Sequence, residues 1–149
     1  LAENTALLRN SEEATGGHEF TLELDPESAH PTGDPDQISQ IFWNLARNAL
    51  RAMPKGGQLF IRGWLRGESY SIEFRDTGHG MSEEQRAKLF HPFQSFFDSG
   101  TGIGMAIVYR IVQEHGGSIQ VESQPSAGTR IVVNLPVHSA AMVPVAAEA

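Results

Sequence analysis

Asn44, Asn48 and Arg51 are spaced by four and three residues, which on a helix at 100° per residue places them within about 60° of one another. An amide oxygen is a hard ligand suited to Mg2+. Two asparagines that only tie down neighbouring loops explain the pair equally well. Asp76-Thr77-Gly78-His79-Gly80-Met81 follows an alternating apolar run. A carboxylate at a strand end can accept a hydrogen bond from an exocyclic amine, and the glycines let backbone approach a flat ligand. A plain glycine turn is the alternative. Gly100-Thr101-Gly102-Ile103-Gly104 precedes an apolar-periodic run, so it would aim the N–H groups and dipole of a helix N-terminus at phosphate oxygens. It is not the dinucleotide fingerprint, because Met105 and Ala106 follow where a further glycine spacing is required and no strand precedes it. Between the glycine clusters lie Phe90, Phe93, Phe96 and Phe97. These rings either pack into the core or cover a ligand, and an anchored start with a glycine-rich end suits a lid.

These groups need a scaffold. His18 to Leu24 alternates with Phe20, Leu22 and Leu24 on one side, which predicts a strand. Asp34-Pro35-Asp36-Gln37 supplies a cap, a first-turn proline and a glutamine three residues past the cap. The helix it opens carries Ile38, Ile41, Phe42, Leu45, Ala49 and Met53 at intervals of three and four, and must stop before Pro54. Leu59–Leu65 and Tyr70–Phe74 read as a hairpin around Arg66-Gly67-Glu68. Ser82-Glu83-Glu84-Gln85 opens a short helix with a capping box, and Ile103–His115 is a helix stopped by Gly116-Gly117. Ile119–Val121 and Arg130–Leu135 read as strands around a turn from Pro125 to Gly128. The sum is an α/β two-layer sandwich, with about three helices on one face of a mixed, mostly antiparallel sheet of about five strands.

At 149 residues the chain has room for one domain with a real core, and its formal charge is -7. An unspecific grip on nucleic acid or anionic membrane has no electrostatic basis. A polyanionic ligand must be held by local dipoles or a metal ion. The lack of cysteine removes disulfides, thiolate metal sites and cysteine nucleophiles. Neither Lys55 nor Lys88 belongs to a GxxxxGK[ST] phosphate loop. Leu1, Leu7 and Leu8 at helical spacing suggest the end of an upstream helix or linker over 1–15, a domain over 16–136 follows, and 137–149 reads as a tail.

In order along the chain, Asn44-Leu45-Ala46-Arg47-Asn48-Ala49, Asp76-x-Gly78-x-Gly80, Phe90-x-Pro92-Phe93, Gly100-Thr101-Gly102-Ile103-Gly104 and Gly128-Thr129 resemble the N, first-glycine, F, second-glycine and last-glycine boxes of sensor histidine kinases. The form of the first box and the short lid are most similar to the nitrogen-regulation and pilus-regulation kinases. The resemblance implies the Bergerat ATP-binding fold shared with gyrase, mismatch-repair ATPases and a heat-shock chaperone. It implies Asn48 as the Mg2+ ligand, Asn44 near the phosphates, and Asp76 as acceptor of the adenine amine. Gly78 and Gly80 would shape the base pocket, Gly102 and Gly104 would bring helix N–H groups to the phosphates, and Thr129 would stand near Asp76. Arg51 is assigned to the γ-phosphate with Arg47 in reserve, and Met81, Phe93, Gly100, Thr101 and Ile103 complete the nucleotide-contacting set. The related hydrolases place a glutamate base at the position of Asn44; an amide cannot take a proton, so the γ-phosphoryl group is kept for an incoming histidine.

The lid departs from this pattern, since Phe97 stands where those relatives commonly carry a lysine. The phosphoacceptor is also absent. His18-Glu19 is the one His-Glu pair and opens an alternating strand rather than a basic, proline-containing helix. The resemblance therefore implies ATP and Mg2+ as ligands, a separate dimerisation domain bearing the acceptor histidine, and a response regulator. It implies a monomeric isolated domain in a homodimeric, cytoplasmic or membrane-anchored full-length protein. A degenerate nucleotide-holding module, an ATPase of the same superfamily and an anti-sigma serine kinase are the competing readings.

Overall fold

The computed structural model describes residues 17–24, 35–90 and 104–136. Strand β1 (His18–Leu24) is followed by helix α1 (Pro35–Arg51), hairpin strands β2 (Gly57–Arg66) and β3 (Ser69–Asp76), the short helix α2 (Glu83–Ala87), helix α3 (Gly104–Glu114), and strands β4 (Ser118–Ser123) and β5 (Thr129–Pro136). The sheet order is β1-β2-β3-β5-β4. β1 runs parallel to β2, as a crossover through α1 requires, and the other pairings are antiparallel.

Alternation decides which face the helices cover. Leu59, Ile61, Ile72, Phe74, Ile131, Val133 and Leu135 are buried on one face, where they meet Ile41, Phe42, Leu45 and Ala49 of α1 and Met105, Val108, Ile111 and Val112 of α3 in one cluster. The other face carries Arg62, Arg75, Arg130, Glu73 and Glu122; Arg130 pairs with the buried Glu73 and, at 3.1 Å, with Glu122.

Helix ends follow local chemistry. The Ser82 hydroxyl accepts from Gln85 N–H at 3.1 Å while the Gln85 side chain accepts from Ser82 N–H at 3.0 Å, the reciprocal box expected from sequence. The apolar period of α1 runs on to Met53, which is buried, yet the helix ends at Arg51. Met53 N–H turns back to Leu50 O at 3.0 Å, a tighter closing turn before Pro54. Among the described residues no helix is long and apolar enough to cross a membrane.

Candidate nucleotide site

Asn44, Asn48 and Ala52 succeed one another at four-residue steps along α1 and its exit, so they form one stripe about 12 Å long at 1.5 Å per residue. At one end, a Cβ placed on Gly104 would stand 3.4 Å from Asn44 Oδ1. The first turn of α3 therefore rests on the Asn44 amide. At the other end, His79 N–H donates to Ala52 O at 3.0 Å, and a Cβ on Gly78 would collide with that same carbonyl. Asn48 lies half-buried between them. One helix thus touches Gly104 at one end and Gly78 at the other.

The loop after β3 is clamped on a second side by the β4–β5 turn. Ser126 N–H donates to His79 O at 2.7 Å, a Cβ on Gly80 would overlap Gln124 O, and one on Gly128 would overlap Asp76 O. Both glycines also have positive φ, 68° and 76°, where an L side chain is strained. The expected role of Gly78 and Gly80 was to open space for a base; the contacts show in addition that they let three backbone segments touch.

Asp76 is 6% exposed at the end of β3, opposite Thr129 in the ladder. Its carboxylate accepts from Gly78 N–H at 2.8 Å and from Thr129 N–H. Burial pushes its pKa above the ordinary value; the two N–H groups and the positive potential of His79 pull it back only in part. A buried carboxylate with lone pairs to spare suits a donor such as an exocyclic amine.

Phosphate chemistry fits the opposite end of the stripe. Asn44 Nδ2 is buried and has no acceptor among the described residues, so an incoming oxygen would satisfy it. It sits beside a helix start, and the first N–H groups of any helix have no partner within the helix. Among the described residues no group of three or more His, Asp or Glu could hold a metal ion; the amide oxygen of the half-buried Asn48 is a hard donor of the kind Mg2+ takes.

The remaining assigned residues separate into groups. Arg51 is exposed in the last turn of α1, and Arg47 is exposed with its guanidinium 5.6 Å from the Trp43 ring centroid. Met81 is a core residue at 7% exposure. Phe90, which opens the expected lid, packs its ring 5.5 Å from Tyr109 on α3. Phe93, Gly100, Thr101, Gly102 and Ile103 lie outside the described residues, as do Phe97, the Asp34 cap and residues 1–15 and 137–149. A cavity of about 760 Å3 also opens beside Asp76 and Thr129, walled by Arg75, Glu122 and Arg130 of the open sheet face; the α1 stripe takes no part in it.

Sequence reasoning missed Ser123, whose buried hydroxyl meets Met81 N–H at 2.8 Å and Thr129 Oγ1 at 2.9 Å. Its position at a strand end next to the last-glycine turn was the available signal. Ala52, a backbone contact, carries no side-chain signal at all.

Residues 33–139 match the family described as histidine kinase-, DNA gyrase B-, and HSP90-like ATPase. Sporulation kinase E of Bacillus subtilis is 33% identical over 92% of this chain, and sensor histidine kinase ZraS of Escherichia coli K12 is 36% identical over 70%. The chain spans 19% and 23% of the length of those relatives. The catalytic domain of the histidine kinase ThkA superposes with a TM-score of 0.79 at 26% identity, covering 91% of both chains. The mycobacterial sensor histidine kinase MprB gives 0.77 at 26%, covering 92% of this chain and 91% of that one. This chain belongs to the histidine kinase-, gyrase B- and HSP90-like ATPase family.

Proposed function

We propose that this chain is the ATP-binding catalytic domain of a sensor histidine kinase, with 16–136 as its folded unit, and that it transfers the γ-phosphoryl group of ATP to a histidine on a separate dimerisation domain. The α1 stripe is the observation that carries this reading: it sets an unsatisfied buried amide and a helix start at one end, and an acceptor carboxylate at the other. That polarity matches a nucleotide laid along the stripe, base at Asp76 and phosphates at Asn44. Kinase names among the relatives favour transfer over plain binding.

In this reading Asp76 accepts the adenine amine, Asn48 holds Mg2+ and Asn44 donates to a phosphate oxygen. Bound magnesium would neutralise charge on the phosphates. Gly102 and Gly104 offer helix N–H groups to the phosphates, and Arg51, or Arg47 in its place, contacts the γ-phosphate. Because Asn44 cannot act as a base, water is not activated and hydrolysis stays slow. A response regulator receives the phosphoryl group downstream. The full-length protein would be a homodimer, acting in the cytoplasm.

Mixing the domain with a separately expressed acceptor-histidine domain and γ-labelled ATP tests the proposal. Phosphohistidine supports it. Bound nucleotide without transfer establishes a degenerate binding module instead, and released inorganic phosphate a hydrolase.

A further inference from the structure

Ser123, the last residue of β4, carries a hydroxyl that is 9% exposed and has three partners. Met81 N–H approaches its oxygen at 2.8 Å, the Gly128 carbonyl lies at 3.0 Å and the Thr129 hydroxyl at 2.9 Å. A hydroxyl has one proton and two lone pairs. Met81 N–H can only donate, so it takes one lone pair; the Gly128 carbonyl can only accept, so it takes the proton. One lone pair remains. The Thr129 hydroxyl must therefore be the donor in its bond with Ser123.

With its proton spent on Ser123, Thr129 Oγ1 can offer only lone pairs to anything else. Thr129 stands directly opposite Asp76 across the β3–β5 ladder, so the two side chains share a face of the sheet. Thr129 N–H further ties its backbone to the Asp76 carboxylate. Both side chains at this spot are then acceptors.

We propose that Ser123 is a positioning residue for base selection: by fixing the Thr129 proton it makes Asp76 and Thr129 a pair of acceptors, which matches the amino group of a 6-aminopurine and opposes the carbonyl of a 6-oxopurine. The inference rests on the nucleotide reading given above. In that site a misdirected Thr129 proton would offer a donor where the amine also donates, and would bond to the oxo group instead.

Calorimetry with the purified chain, comparing Mg2+-ATP with Mg2+-ITP, tests it. The unaltered chain binds ATP in preference to ITP. In Ser123→Ala the Thr129 hydroxyl is released, and the ATP-over-ITP ratio falls about tenfold, the scale of one hydrogen bond to a buried polar group. Thr129→Val lowers the ratio comparably. Because both act through one acceptor, the double variant falls no further than either single one, and Ser123→Thr, which keeps a hydroxyl, restores the ratio. A folded Ser123→Ala chain with an unchanged ratio overturns the proposal, as do losses that simply add. If Ser123→Ala fails to fold, as judged by its urea transition, Thr129→Val decides, and an unchanged ratio there is equally fatal. An unaltered chain that binds both nucleotides equally refutes base selection alone. One that binds neither refutes the nucleotide site and the inference with it.

Discussion

The side-chain oxygen of Asn44 would lie 3.4 Å from a Cβ on Gly104, so the amide of one helix and the start of another meet with room for no more than a methyl group between them. The same amide has a buried nitrogen without an acceptor among the described residues. An unsatisfied buried donor costs about 1–3 kcal/mol, and such costs are retained where function uses them. Asn44→Leu, close in volume and apolar, is therefore expected to raise the unfolding free energy by about 1 kcal/mol while abolishing ATP binding. Urea unfolding and calorimetry on one preparation read both effects. An Asn44→Leu chain that keeps its ATP affinity would remove Asn44 from the phosphate site.

Gly104→Ala probes the other partner. At 3.4 Å the added methyl group is in ordinary contact, and alanine is favoured over glycine in a helix by about 1 kcal/mol. The melting temperature should hold or rise slightly. ATP affinity should nevertheless drop, because the methyl fills the space between the Asn44 amide and the first turn of α3. A fall in stability would show that the glycine serves packing rather than ligand access.

Two glycines with similar positive φ separate strain from collision. Gly67 has φ 61°, and a methyl group there would meet nothing within 4 Å, whereas Gly128 has φ 76° and its methyl would overlap Asp76 O. Gly67→Ala should cost only the left-handed strain, about 1–2 kcal/mol. Gly128→Ala adds overpacking of about 1–3 kcal/mol on top of strain and displaces Asp76. Denaturant midpoints for the two variants should differ in that order, and only Gly128→Ala should also lose nucleotide.

Most of the scaffold was legible because periodicity reports burial directly. The stripe Ile41, Phe42, Leu45 and Ala49 predicted both the helix and the face it buries, and Ser82 with Gln85 predicted a cap down to its two hydrogen bonds. Boundaries drifted by one or two residues where backbone bonds rather than side chains decide, as at Met53. At the site, Asn44 and Asp76 could be named as candidates by type and place, whereas Thr129 could be named only through the resemblance of Gly128-Thr129 to a family box. Ala52 could not, since its carbonyl makes the contact. Ser123 needed the fold, because its partners come from Met81 and Gly128, which are 42 and 5 residues away. The nitrogen- and pilus-regulation likeness is a finer distinction than kinship with sporulation kinase E and ZraS can supply.

Asp76 gives folding and binding opposite responses to acid. Its pKa is raised above the ordinary 3.8, first by burial, against the N–H groups of Gly78 and Thr129 and the charge of His79. The folded chain thus binds this proton more tightly than the unfolded chain does. The group's contribution to stability is complete below 3.8 and is lost as pH rises through the folded-state value. Accepting an adenine amine demands the ionised carboxylate, so ATP affinity should decline as pH falls through that same folded-state value. Asp76→Asn, which cannot ionise, should flatten both trends, and its preference for ATP over ITP should shrink because an amide can also present a donor. Parallel thermal melts and ATP titrations across the acid range would test this. If stability and affinity fall together in the unaltered chain while Asp76→Asn follows the same curves, the carboxylate is not the group that receives the base.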